Sequence, residues 1–516
     1  MTENTNYRDI GSRKWWAIGA ISLAAIAFSL DLTVLNLALP TLSNALHATS
    51  NQLQWIVDAY ALVLAVLTLA AGLLGDKYGR KKVLLIALAI FGVGSLLCAY
   101  SHSVNELIAA RVLLGIGAAF ILPLGFSVLA IFFDDKARPK AIAILMGGVF
   151  AAYPLGPILG GFLLTHYWWG SVFLINVPIV LVALVAVAII LPETRNPESH
   201  KLDLVGIGLS SLGLTGLTYG AIQAESNGWS SGQVVTSLAV GAVLLVLFVF
   251  WEKRKVLHKQ EPLVDFTLFK SRRFTWGTLL MTTVNFSLFG LLFSLPQYLE
   301  DIQGKNAMQT GYYLLPMVGG LMIGSVAMSK LAVKIGSKLA VTIGFIFMAA
   351  GLILGTRTTL SVSDLYIVVW TTIIGMGLGF AMPAAADAAL GALTPEKSGA
   401  GSALVTAIRQ VGGTLGVAVL GTILGTSYRN KLALPGLPHQ VAETIRGSVT
   451  AGTAVAHKLS SPGLLRTIST AFVDSMDTML WVCSGIALCA VVAALLFLPD
   501  KEKIVEHERN TIVGSP

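Results

Sequence analysis

Asp31, Asp58 and Arg111 each stand inside a long run of apolar residues, away from ready solvent. A charge at the centre of an apolar helix costs about 3 kcal/mol on insertion scales and more in simulations, so each residue needs a partner or a task. Two carboxylates and one guanidinium in one place carry a net negative charge. Such a group can take up a proton, or a cation in the proton's place. Proton and cation then favour opposite states of one carboxylate, the simplest chemistry for exchanging one for the other. The plainer alternative is a structural ion-pair or hydrogen-bond network. It is strongest for Asp58, which stands closer to a helix end, and for Arg111 it takes the form of simple pairing with one aspartate.

The elements that hold these residues follow from composition. Of 516 residues, 55% are hydrophobic and 12% charged, against about 25% charged in a soluble domain. Mean hydropathy is +0.76. A chain this apolar uses lipid as part of its solvent. A span needs roughly 20 predominantly apolar residues. On that measure spans are expected near 16–39, 53–74, 82–100, 105–131, 140–165, 171–192, 204–224, 232–251, 275–298, 309–329, 338–357, 364–387, 400–424 and 475–498. The first is too long for a signal-peptide core and lacks a small-residue cleavage site, so it is expected to remain. Measured from span midpoints at 1.5 Å per residue, Asp31, Asp58 and Arg111 lie roughly 5, 7 and 10 Å toward the outside. All three fall in one slab.

The formal charge of +8 could suggest nucleic acid, but its placement does not. With the N-terminus inside, most of the 35 Lys and Arg fall in cytoplasmic segments, and the outer loops before residue 232 hold none. That is the positive-inside pattern, so both termini are expected in the cytoplasm and no nucleic-acid partner is expected. Arg111 and Arg409 alone fall in the interior of spans; most outer basic residues lie in one long loop, 425–474. Trp15, Trp16, Trp55, Trp168, Trp169, Trp229, Trp251 and Trp276 fall near span ends, as an interfacial belt would. Cys98, Cys483 and Cys489 lack metal-ligand spacing and read as small core residues, and no metal site is expected.

The chain also repeats itself. LLGIGAAFILP (Leu113–Pro123) returns as IIGMGLGFAMP (Ile373–Pro383), and Gly156 and Gly161 meet Gly416 and Gly421 at the same offset of 260. Spans 1–6 therefore read as duplicated in spans 9–14, with spans 7 and 8 inserted. Parallel six-helix halves with a site between them suit alternating access.

The sequence resembles the major facilitator superfamily, specifically its fourteen-helix drug:proton antiporter branch. The residues that carry the resemblance are LDLTVLNLALP (Leu30–Pro40), QWIVDAYAL (Gln54–Leu62), GLLGDKYGRKK (Gly72–Lys82), LIAARVLLGIGAA (Leu107–Ala119) and PLGPILGG (Pro154–Gly161). The outer segment 441–459 resembles the long outer hairpin of quaternary-ammonium exporters. The resemblance implies an all-α integral membrane fold of two six-helix bundles plus two inserted helices. With the resemblance, Asp31, Asp58, Arg111 and Asn36 are expected to serve proton coupling or substrate contact; Arg409 and Asn285 join them as polar residues near the middle of their spans, since an intramembrane arginine faces a cavity or a partner. The resemblance makes Gly72, Asp76, Gly79 and Arg80 a conformational latch, beside which plain positive-inside anchoring explains the lysines only. Pro154, Gly156, Pro157, Gly160 and Gly161 would form a leak-proof helix packing; small residues let helices close and prolines bend them.

The sequence departs from that pattern in places. Span 10 carries no acid, and span 13 reads SALVTAIRQVGG (Ser402–Gly413), with Arg409 and no acid. Monovalent lipophilic cations or zwitterions suit so few carboxylates, and Arg409 could favour an anionic group. Val333 and Ser337 stand where Asp76 and Arg80 stand in the first copy, so the first half should dominate the latch. Leu114 replaces a glutamine common in the family. Asp387 reads as a cap or interface residue, and Asp474 and Asp477 as the N-terminal cap of span 14.

The expected organisation is a tail at 1–14, a bundle at 15–192, inserted helices with loops at 193–274, a bundle at 275–498 and a tail at 499–516. The expected function is a monomeric proton-coupled exporter of amphipathic cations in a bacterial inner membrane, not an enzyme, with no cofactor beyond the proton. A dedicated transporter of a metabolite, amino acid, peptide or lipid is the alternative, since fold does not fix substrate. An ATP-driven pump lacks its Gly-Lys-Ser/Thr loop.

Overall fold

The computed structural model describes residues 13–499, apart from 49, 135–136, 196–202, 259–263, 265, 395–397 and 435–436. The two expected tails lie outside the described residues, except 13–14 and 499. Fourteen helices are long and apolar enough to cross a membrane, and no strand occurs among the described residues.

The first half comprises α1 (Arg13–Leu46), α2 (Ser50–Tyr78), α3 (Arg80–Ala99), α4 (Val104–Phe132), α5 (Arg138–His166), and α6 (Ser171–Leu174) with α7 (Asn176–Ile190), which together make one span. Next come α8 (Leu204–Asn227) and α9 (Gly232–Leu257). The second half holds α10 (Arg272–Gln297), α11 (Ala307–Gly355), α12 (Asp364–Leu390) and α13 (Ser398–Lys431). It ends with α14 (His439–Gly447), α15 (Val449–Lys458) and α16 (Pro462–Phe497).

Local chemistry sets where these helices begin. Ser103 accepts from the Glu106 amide at the head of α4, and Asn306 and Gln309 form a reciprocal capping box on α11. Gly79 separates α2 from α3 with φ of 102°, and Gly336 breaks α11 into two spans with φ of 73°. L-residues rarely adopt either value. The two glycines sit at matching places in the two halves, so the repeat is visible in the backbone as well as in the letters.

Within the first half α1 packs on α5 and α7, α2 on α4, and α3 on α4 and α7. The second half pairs α10 with α12 and α13, and α11 with α12 and α16. The halves meet where α2 and α4 touch α13 and where α5 touches α11 and α12. The inserted helices pack together through Gly216 and Gly241, whose backbones nearly touch. They lie against both halves. Ser211 donates to the Val66 carbonyl of α2 at 2.5 Å, and Trp229 donates to Thr422 of α13 at 2.7 Å.

Three expectations are corrected. The segment 425–474 is not one loop: α13 runs on to Lys431, α14 and α15 form a helical hairpin, and α16 begins at Pro462. Apolar-run counting finds only the stretch that sits in hydrocarbon, whereas these helices project past it. Asp474 and Asp477 consequently lie well inside α16, whose cap is Ser461. Lys431 reaches the Asp474 carbonyl at 2.6 Å and ties α13 to α16 there. Cys489 is exposed on the outer surface rather than in the core, because an apolar run in a membrane protein faces lipid as readily as protein.

Candidate functional site

Five helices bring polar groups to one point in the first half. Arg111 of α4 donates from Nη1 to Asp31 of α1 at 2.6 Å and from Nε to the Ile56 carbonyl of α2 at 3.1 Å. The guanidinium lies 4.2 Å from the centre of the Tyr60 ring. Asn176, the first residue of α7, donates to Asp31 at 3.4 Å and to Ser95 of α3 at 3.3 Å. Asp31 and Arg111 are both buried. A charge-assisted pair of this kind is strong but holds only while both partners stay charged. A proton on Asp31 would free Arg111 from its counter-charge, so the cluster can convert protonation into a change of helix contacts.

Asp58 is buried on α2, but Arg111 gives its hydrogen bonds to Asp31 and Ile56. The pair that forms is Asp31 with Arg111, and Asp58 makes contacts of its own. The Asn36 side chain lies outside the described residues. Asn176 and Tyr60 were not singled out by sequence. An asparagine inside the apolar run of α7 was the available signal.

At the other end of α4 a second network joins the halves. Asp76 pairs with Arg80 at 2.6 Å. Its other oxygen accepts from the Ala400 amide at 3.2 Å, in the first turn of α13. Arg80 also donates to Ser127 of α4 at 2.7 Å and to Ser398 of α13 at 2.9 Å. The helices can approach because Gly72 faces Gly399 and Ala403, and any Cβ on Gly399 would overlap the Asp76 carboxylate. Glu193, also missed by sequence, holds the α2–α3 turn. It accepts from the Lys81 and Lys82 amides at 3.1 Å each and fills the space where Gly79 would carry a side chain. A parallel link crosses from α5 to α12, with Arg138 3.8 Å from Asp387, and Ser337 donates to the same carboxylate at 3.2 Å. Asp387 is thus an interface residue. The Val333 side chain lies outside the described residues.

The glycines of α5 press against α1. A Cβ at Gly156 would collide with Thr33, and one at Gly160 would crowd Val34 and Leu37 at 3.1 and 3.2 Å. Gly161 faces Met308 of α11 instead, and the Pro154 carbonyl faces Gly311. Pro154 is buried and Pro157 half-buried. The motif thus packs α5 against α1 on one side and against the second half on the other.

Arg409 lies on α13 between the halves. Its Nη1 is 3.9 Å from the Met146 sulfur of α5, and its guanidinium centre is 5.8 Å from the Phe126 ring of α4. Asn285 of α10 donates to the Arg409 carbonyl at 3.5 Å. The structure does not bring Arg409 to the Asp31–Arg111 pair. Among the described residues no group of three or more His, Cys, Asp or Glu could hold a metal.

Comparisons with known proteins fit this architecture. The family model described as Major Facilitator Superfamily matches residues 21–417. The multidrug efflux pump LfrA of Mycolicibacterium smegmatis is 34% identical over 94% of this chain and 95% of its own length. The tetracenomycin C resistance and export protein of Streptomyces glaucescens is 32% identical over 94% of this chain and 91% of its own. The methyl viologen resistance protein SmvA of Salmonella typhimurium is 34% identical over 87% of this chain and 90% of its own. Among solved structures, the human organic anion transporter MFSD10 superposes with a TM-score of 0.61 at 14% identity, covering 93% of this chain and 99% of that one. A double-tryptophan XylE mutant gives 0.62 at 14% identity, covering 95% and 97%. At that identity these two speak for the fold alone. Two six-helix halves, an inserted pair and near-full-length relatives that expel drugs leave one assignment: this multi-pass membrane protein belongs to the Major Facilitator Superfamily, in its fourteen-helix drug-export branch.

Proposed function

We propose that the chain is a proton-coupled antiporter that exports small amphipathic drugs or antiseptics, cations foremost, by alternating access. The carrying observation is the buried Asp31–Arg111 pair with Asn176 beside it, where helices of the first half alone enclose a carboxylate and a guanidinium. Protonation of Asp31 leaves Arg111 with the Ile56 carbonyl and the Tyr60 face. That loosens the junction of α1, α4 and α7. Loss of the proton restores the pair. A cation that competes for Asp31 closes the cycle.

The names of the relatives support drug export as the cargo class. The bacterial relatives support a bacterial cytoplasmic membrane, and the placement of Lys and Arg supports both termini and the α2–α3 turn facing the cytoplasm. The protein acts as a monomer on this reading.

The test is antiport in liposomes with a trapped pH dye. Ethidium, a quaternary ammonium or tetraphenylphosphonium is added under an imposed pH gradient, to the wild type and to Asp31→Asn. Substrate-dependent proton release that disappears in the variant is the expected result. Folded, inserted wild-type protein that moves no protons with any of these cations would sink the reading.

A further inference from the structure

Arg409 is a membrane-embedded cation that the described chain does not neutralise. It is 4% exposed, its Nε has no hydrogen-bond partner, and no described carboxylate lies within ion-pair distance. The other buried arginines differ. Arg80 has Asp76, Arg111 has Asp31 and Arg138 has Asp387. What Arg409 has is the Met146 sulfur, a weak acceptor, and the face of Phe126. Neither replaces the hydration lost on burial. An arginine left in this condition faces a cavity or awaits a partner.

Its surroundings are built for something larger than an inorganic ion. Phe126 of α4, Met146, Phe150 and Tyr153 of α5, and Phe289 of α10 converge on the junction of the halves. The Tyr153 and Phe289 rings meet edge to face at 6.1 Å across that junction, and Phe150 lies 6.0 Å from Tyr153. Asn285 fixes the backbone that carries Arg409. The place along the membrane matters too. On α4, Phe126 lies roughly 22 Å from Arg111 by helical rise, toward the end that carries the Asp76 network. On α13, Arg409 lies roughly 14 Å by helical rise beyond Ala400, so it stands between the Asp76 network and the Asp31–Arg111 pair.

We infer that Arg409 is the anion-binding pole of the substrate site and takes the carboxylate of an aromatic zwitterion or organic anion. The guanidinium presents Nε and an Nη in the planar fork that suits a carboxylate. The aromatic group packs among Tyr153, Phe150 and Phe289. This rests on the exporter reading above, and it extends the cargo from cations to compounds bearing a carboxylate. Arg409 then sits between the Asp31–Arg111 pair and the Asp76 network.

The experiment uses two dyes that share one ring system, rhodamine B with its free carboxylate and rhodamine B ethyl ester without it. Binding to the purified full-length protein in nanodiscs is followed by fluorescence anisotropy. The wild type is expected to bind the acid about tenfold more tightly than the ester, the scale of one charge-assisted contact. Arg409→Gln is expected to abolish that preference while still binding the ester, and Arg409→Lys to keep part of it. Benzoate is expected to displace the acid from the wild type, and benzylamine is not. The benzoate arm needs no variant, so it decides the matter even if Arg409→Gln fails to fold. Equal affinities in the wild type, a preference that survives in folded Arg409→Gln, or no displacement by benzoate would each overturn the assignment. Proton release driven by the ester in liposomes is read separately. Ester-driven antiport without acid binding removes the Arg409 site and leaves the exporter reading standing. Acid binding through Arg409 without any proton release removes the antiport reading and leaves the site.

Discussion

Replacing Asp76 with alanine should open the α2–α13 contact. Asp76 belongs to the first half, and its Oδ2 accepts the Ala400 amide of the second half at 3.2 Å. Its pair with Arg80 lies within the first half, so that bond survives when the halves part. Only the bonds that cross count toward the equilibrium between open and closed states at this end. A hydrogen bond to a charged acceptor is worth about 1.5–3 kcal/mol net. At about 1.4 kcal/mol per factor of ten, Asp76→Ala should shift that equilibrium roughly 10- to 150-fold toward the open state. Arg80 moderates the effect, since its bond to Ser398 at 2.9 Å also crosses. Hydrogen–deuterium exchange of the first turns of α13 reads the change directly, as faster exchange at 398–406 with the α10 amides unchanged as an internal control. Asp76→Glu should restore part of the protection. If exchange in Asp76→Ala matches the wild type, the crossing bond contributes nothing measurable. The close packing of Gly72 on Gly399 and Ala403 would then hold this end shut without it.

Other outcomes follow from the same geometry. Gly156→Val should force α5 away from Thr33 of α1 and produce a proton leak without substrate, read by dye quenching in liposomes; a tight variant would mean that the α5 glycines do not seal. Removing one partner of a buried pair leaves an uncompensated charge and costs about 3–5 kcal/mol. Arg111→Met should therefore lower the thermal midpoint more than the double variant with Asp31→Leu, and equal losses would argue against the pair as a unit. Asp203, outside the spans, loses some hydration on burial, but the Gly206 amide, Lys255 and Trp251 more than offset this and hold its carboxyl below the usual range. A depressed carboxyl stabilises the fold above its unfolded value near 4, and that contribution fades as pH falls through its folded value. Trp251 fluorescence should accordingly stay constant from neutral pH down to about 4 and change below it in the wild type, while Asp203→Asn should show the altered signal already at neutral pH.

Much of this molecule is legible in the letters because lipid imposes a length rule. Each expected span coincides with a helix that is long and apolar enough to cross a membrane. What escapes the rule is everything outside hydrocarbon, so the length rule is silent on α14 and α15, and only the likeness of 441–459 to an outer hairpin points to them. The site divides the same way. Asp31, Arg111 and Arg409 stand out because a charge in an apolar run is conspicuous, and Arg80 and Asp76 because the turn motif repeats. Depth along a helix is computable from helical rise, but azimuth is not. Sequence therefore put Asp58 in the same slab as Arg111 without knowing that Arg111 points at Asp31 and Ile56. Asn176 and Glu193 act through partners on distant helices, which no local pattern announces.

The inserted pair has a further consequence for how compounds meet the protein. Fastened to α2 through Ser211 and to α13 through Trp229, it roofs one of the two seams between the halves. Acyl chains on that flank touch α8 and α9, not the seam. The opposite seam, between α5 and α11, has no such roof among the described residues and leaves Phe162, Met308 and Tyr312 exposed. The molecule therefore has a front and a back, with one seam covered by helices and the other bare among the described residues.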